Sequence, residues 1–174
     1  MNEPPRPWLE TLRLELREFV SADADDLHRL DSDPRVVKYL GGKPLSREEV
    51  EVNLRRIVKG YGANYGLGVW RAARRDSGAF IGWFCLKYMP KSSDVEIGYR
   101  LVPEAWGQGF ATEGAGALIA YGFDDLGLYK IVGVTHRDNR ASQRVLLKAG
   151  LTARGWSRYY DRRVRLFVAE RDPA

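Results

Sequence analysis

The sequence predicts a mixed α/β domain, and three observations carry the prediction. Hydrophobic spacing changes from a helical to an alternating period near Gly66. Segments of strand and helix character then follow one another in the second half, where Val95–Val102, a glycine-rich turn and a helix to about Leu126 form one continuous unit. Finally, 174 residues suffice for one domain with a full core and are short for two.

In chain order, residues 1–10 carry three prolines and read as a poorly ordered lead to a single domain spanning 1–174. Leu12, Leu14 and Leu16 alternate with charged residues, as in a half-buried strand. Ser21 or Asp23 is positioned to cap a short helix through Leu27 and Leu30, and Asp33-Pro34 opens another over Arg35–Leu40, stopped by Gly41-Gly42. Ser46 followed by Glu49 makes a capping box for a helix to about Lys59. Leu67–Ala73 and Ala79–Tyr88 read as a hairpin around Arg75-Asp76-Ser77-Gly78, with Val95–Val102 as the third strand. After the long helix come a strand at Ile131–Thr135 and a helix capped by Asn139 and ended by Gly150. Two strands close the chain, Leu151–Arg158 and Val164–Glu170, around a Tyr159–Arg163 turn.

Composition narrows the function. Hydrophobic content of 44% with 29% charged residues is ordinary for a soluble globular protein. No apolar run reaches the roughly 18–20 residues of a membrane span, and the start of the chain lacks a signal core, so a cytoplasmic protein is expected. Cys85, the single cysteine, lies in an apolar run and is expected in the core. From Arg140 to Arg165, eight basic residues against Asp161 alone make the stretch +7; the rest of a chain of net charge +5 is therefore −2. Such local basicity suits a defined polyanion better than a general nucleic-acid coat. Two histidines and one cysteine assemble no metal cluster at the usual spacings.

The glycine turn Trp106-Gly107-Gln108-Gly109-Phe110-Ala111-Thr112 feeds a helix start, where free N–H groups and the positive dipole end suit a phosphate. It matches neither the nucleotide P-loop, the dinucleotide fingerprint nor a hydrolase elbow.

Trp106 to Glu113, then Asn139-Arg140-Ala141-Ser142, then Lys148-Ala149-Gly150-Leu151, resembles the GNAT superfamily of acetyl-CoA-dependent N-acetyltransferases. Within it the chain looks like the branch of the ribosomal-protein N-terminal (alanine/serine) acetyltransferases. The resemblance runs from about Leu12 to Arg171 and includes Asp33-Pro34 and Glu96-Ile97-Gly98-Tyr99. It implies a central, mostly antiparallel sheet of about seven strands flanked by helices, with the coenzyme in a cleft beside the central strand. It also implies that Gly107, Gln108, Gly109, Phe110, Ala111 and Thr112 cradle the pyrophosphate, and that Leu101 and Val102 pair with the pantetheine arm. Asn139 either binds that arm or caps its helix. Lys148 and Arg144 are candidates for the remaining phosphate.

Catalysis has two named candidates. Glu96 stands where family members often place a glutamate, as a base acting through water or as an ordinary paired strand carboxylate; Tyr99 and His136 are weaker candidates. The tyrosine acid of many relatives is Leu146 here, leaving Ser142 as the hydroxyl on that helix face, to bond the thiolate or only its own helix. Tyr39, Tyr61, Tyr65, Trp70, Trp83 and Tyr88 are expected to supply the acceptor pocket and core. The implied reaction moves an acetyl group from acetyl-CoA to a primary amine of a protein, a peptide or a small molecule, with no metal. A non-catalytic acyl-CoA sensor and an arginine-based nucleic-acid binder are the rivals. Expected partners are acetyl-CoA and the amine, with a homodimer held open and no membrane.

Acetyl-CoA at a hundredfold excess over its Kd should stabilise the fold by about 2.7 kcal/mol. Differential scanning calorimetry should show the melting temperature rise by several degrees; an unmoved transition would remove every coenzyme reading.

Overall fold

The computed structural model describes residues 8–171, and their elements follow the expected order. They are β1 (Leu9–Glu10), β2 (Leu14–Glu18), α1 (Ala24–Asp31), α2 (Pro34–Val37), α3 (Arg47–Gly60), β3 (Gly68–Arg74), β4 (Phe80–Tyr88), β5 (Val95–Leu101), α4 (Phe110–Asp124), β6 (Lys130–Thr135), α5 (Arg140–Lys148), β7 (Thr152–Tyr159) and β8 (Arg162–Glu170). One eight-stranded sheet runs β1-β2-β3-β4-β5-β6-β8-β7, and its neighbours are antiparallel except β5 and β6. The crossover helix α4 joins that parallel pair, as a parallel connection requires.

The β5–β6 joint is short. Only Val95 with Ile131 and Glu96 with Val132 pair across it, whereas β5 pairs with β4 over seven positions and β6 with β8 over six. Beyond Glu96 the two strands separate. Phe84, Leu86, Ile97, Leu118, Ile131 and Phe167 form the core beneath α4. The helix sits close to the sheet because its inner face carries glycines: a Cβ on Gly114 would stand 2.2 Å from Phe84 Cζ.

Several local expectations change. The lead is partly structured: residues 1–7 lie outside the described residues, but Leu9–Glu10 pair with β2, and Trp8 packs on Trp70 and Tyr121 with ring centroids 4.8 and 4.7 Å apart. These contacts make eight strands where about seven are expected. Leu12 does not share the alternation of Leu14 and Leu16; it sits in the β1–β2 turn with 85% of its surface exposed. Alternation alone does not distinguish a strand from the turn before it. Helix α2 stops at Val37 instead of reaching Leu40, although Asp33 caps it through Arg35 N–H as its sequence suggests. Asp23 spends its carboxylate on Val20 N–H, Arg17 and Arg71 instead of capping α1. Ser46 and Glu49 form the expected capping box of α3.

Packing at α4 yields a paired expectation. Gly114→Ala should cost about 1–3 kcal/mol because the buried Phe84 ring has to move. Gly116 faces open space, and Gly116→Ala should instead stabilise by about 0.5–1 kcal/mol through helix propensity. Urea unfolding of the two variants should shift the midpoint in opposite directions.

Candidate active site

The phosphate-suited turn is built as its sequence suggests. Gly107 and Gly109 are both left-handed, at φ 71° and 83°, which a side chain would resist. Gly109 is the N-cap of α4 and offers no side chain to it, so the N–H groups of Phe110, Ala111 and Thr112 have no intrahelical acceptor and no capping oxygen. That donor set, at the positive end of a 15-residue helix, fits a pyrophosphate. Trp106 braces the turn from the strand side, its indole Nε1 donating to the Leu101 carbonyl at 2.9 Å.

That bond changes the expected contact at the strand end. Val102 N–H donates to Ile81 O at 2.9 Å, so neither the Leu101 carbonyl nor the Val102 N–H is free to receive an added strand. Because Val102 turns its backbone toward β4, alternation turns the backbones of Tyr99 and Leu101 toward the side where β6 has departed. The open edge therefore runs from Tyr99 to the Leu101 N–H, the Leu101 carbonyl being held by Trp106.

Glu96 stands on the last rung before the strands part. It is 7% exposed, its Oε2 accepts the Tyr160 hydroxyl, and Lys87 Nζ lies 3.8 Å away. Burial raises its pKa above the ordinary 4.5, against the opposing pull of the Tyr160 bond and the Lys87 charge. Tyr160 escaped sequence reasoning. It occupies the first position of a two-residue hairpin turn, where Tyr160 and Asp161 have φ of 53° and 56°. Asn-Gly is the usual choice there, so a tyrosine in that conformation is strained, and the strain delivers its hydroxyl to Glu96.

Ser142 does not reach Glu96. Residues three apart on a strand point to opposite faces, and it is Tyr99 that meets α5. The Tyr99 hydroxyl lies 2.9 Å from Ser142 Oγ and donates to Ser142 O at 3.1 Å. Burial pushes the Tyr99 phenol up to about 12, partly offset by the Ser142 bond. Asn139 Oδ1 accepts Ser142 N–H at 3.1 Å, so of its two expected roles the capping one is present. Leu146 is 1% exposed and packs on Gly133.

Other candidates disperse. His136 stacks on Tyr39 and accepts Asp138 N–H through Nδ1, at 3.2 Å, on the surface beyond β6. The aromatic residues expected to line one pocket divide. Tyr61 and Trp70 join Trp8 and Tyr121 around a 260 Å³ cavity that includes neither Glu96 nor the glycine turn, and Tyr65 and Tyr88 are exposed. Trp83 lies under Arg100, whose guanidinium is paired with the buried Asp31. Arg144 and Lys148 are exposed on α5, with no acidic partner among the described residues. Cys85 is buried and free, its thiol pushed up to about 12 by burial. Among the described residues no helix is long and apolar enough to cross a membrane, and no group of three His, Cys, Asp or Glu is placed to hold a metal.

Comparison with known proteins gives the family and the fold. The family model of the GNAT acetyltransferase domain matches residues 13–152, and the chain belongs to that family. The FsC-acetyl coenzyme A-N(2)-transacetylase of Aspergillus fumigatus is 33% identical over 167 residues, covering 87% of this chain and 68% of the relative. An acetyltransferase structure from Agrobacterium tumefaciens superposes with TM-score 0.83 at 24% identity, covering 98% of each chain. A ribosomal-protein-S5-alanine acetyltransferase from Vibrio fischeri gives 0.77 at 18% identity, covering 94% of this chain and 96% of that one. The protein is an acetyl-CoA-dependent N-acetyltransferase of that family.

A carboxyl whose pKa rises on folding destabilises the native state as pH climbs from the unfolded value through the folded one, because the unfolded chain sheds its proton first. Glu96→Gln keeps an acceptor for Tyr160 and removes this term. The variant should gain stability relative to the parent as pH rises from 4.5, read as a widening difference in urea midpoints.

Proposed function

We propose that the enzyme acetylates an α-amine or another amine of low pKa, with Glu96 as the base and the Tyr99–Ser142 hydroxyl pair supporting the leaving sulfur. The observation that carries the acceptor class is the setting of Glu96: buried, capped by Tyr160 and already beside the Lys87 ammonium. An acceptor that arrives as a second ammonium finds that negative charge shared and meets Lys87 directly.

The magnitudes favour the same class. Deprotonating an α-amine of pKa about 8 near pH 7 costs about 1 kcal/mol, while a lysine at about 10.4 costs about 4–5 kcal/mol. A carboxylate with raised pKa, acting directly or through one water, is sufficient for the former.

The donor's place follows from groups the chain leaves available. N–H groups of Phe110, Ala111 and Thr112 hold the pyrophosphate, and the Tyr99–Leu101 edge receives the amide-bearing arm as an added strand. This path leads the thioester toward the rung at Glu96, with Glu96 on one face of β5 and Tyr99 with Ser142 on the other. Acetyl-CoA bound in that way supplies the electrophilic carbonyl and a thiol leaving group. The buried carboxylate removes the proton of the attacking amine, and the hydroxyl pair donates toward the departing sulfur.

Thiol release with a peptide panel tests the acceptor. Peptides with a free α-amine and blocked lysine should turn over; the same peptides with a blocked α-amine and free lysine should not. Equal or faster turnover of the lysine-only peptides would overturn the proposed class.

A further inference from the structure

The glycine turn is gripped from behind by a segment about a hundred residues away. Glu113, in the first turn of α4, has 17% of its side chain exposed and receives three hydrogen bonds from the β1–β2 turn. Thr11 Oγ1 donates to Oε1 at 2.6 Å, Arg13 N–H to Oε1 at 2.8 Å and Arg13 Nε to Oε2 at 2.7 Å. Burial alone would raise the Glu113 pKa, but these donors hold it below the usual glutamate value. Anchored in this way, the Arg13 guanidinium lies 4.4 Å over the Phe110 ring and extends Nη1 to the Gln108 carbonyl, 2.9 Å away.

The last contact is the informative one. In a trans peptide unit the C=O and the following N–H point in opposite directions. Holding the Gln108 carbonyl toward Arg13 therefore aims the Gly109 N–H away from it. Gln108 lies between two left-handed glycines, the least restrained kind of backbone, so this peptide plane would otherwise rotate at little cost. Ordering it in advance spares the ligand that cost.

We propose that Arg13, anchored by Glu113, is a positioning residue for the donor: it sets the Gly107–Gly109 turn for the pyrophosphate. The inference rests on the coenzyme reading of that turn. It concerns the phosphates alone and not the thioester, which makes it separable from a general loss of fold. A lysine cannot replace the arginine, because one ammonium does not fork between the Glu113 carboxylate and the Gln108 carbonyl.

The test compares two donors, acetyl-CoA and S-acetylpantetheine, which carries the thioester arm without a pyrophosphate. Arg13→Ala should raise KM for acetyl-CoA about tenfold, the value of one charge-assisted hydrogen bond, with kcat at saturating donor little changed. KM for S-acetylpantetheine should not move. Arg13→Lys should resemble Arg13→Ala. Glu113→Gln, which keeps one oxygen acceptor but loses the charge and the second acceptor, should move in the same direction by less, and serves if Arg13→Ala does not fold. Equal losses with both donors would reduce Arg13 to a structural role, and no change with either would remove it; each overturns the inference. Failure of the parent protein to bind coenzyme A would instead sink the reading on which the inference rests.

Discussion

Two rungs of parallel pairing hold the sheet together, and the site depends on there being no third. β1 through β5 form one antiparallel set, and β6, β8 and β7 form another. Val95–Ile131 and Glu96–Val132 join them, after which the sets part. Polar contacts reinforce the joint near its vertex. Asp94 meets Lys130 and Tyr159, Glu96 meets Tyr160, and Tyr99 reaches Ser142 further along the opening. A buried backbone N–H or carbonyl without a partner costs about 1–3 kcal/mol. Beyond Glu96 the edge of β5 is open to water, and under the proposed reading an amide-bearing arm that displaces that water supplies the partners such groups need.

The same vertex accounts for the state of Glu96. A carboxylate this buried is disfavoured as an anion, yet Tyr160 and Lys87 both favour the anion. The opposing influences leave a carboxyl whose pKa is raised by burial and restrained by its two partners. Tyr160 is itself held in a strained turn, at about 1–2 kcal/mol for a non-glycine residue in the left-handed region. Strain of that size persists where the surroundings over-determine it, and here the hydroxyl bond to Glu96 is part of what does so.

Much of the fold was legible because its signals are local. The Ser46–Glu49 box, the Asp33-Pro34 start, Asn139 and the glycine turn each act within four residues, and each is found where its sequence places it. What was illegible is non-local. Arg13 meets Gln108 and Glu113 only after the first strands have joined the sheet. Tyr99 and Ser142 are 43 positions apart, and no periodicity links a strand phenol to a helix hydroxyl. Glu96 and Ser142 could be chosen individually from sequence, but whether they share a face is a matter of strand phase relative to α5. The role of Trp106 in the turn emerges only when its indole is seen bonded to the Leu101 carbonyl.

The absent tyrosine on α5 can be weighed in the same terms. Leu146 is committed to packing on Gly133, so that helix position contributes volume and no proton. The hydroxyls come instead from β5 and from one turn earlier on α5. With the Tyr99 phenol at about 12 and a thiol near 8.5, passing a proton from one to the other is uphill by about 3–4 pK units, about 5 kcal/mol. A hydrogen bond to a thiolate contributes about 1.5–3 kcal/mol without that cost. With the one Tyr99 proton turned to Ser142 Oγ in place of Ser142 O, the serine proton is free to point outward and is polarised by the bond behind it. Under the proposed reading the pair stabilises the leaving thiolate and keeps its own protons. A thiol needs no more, because it leaves readily as its anion.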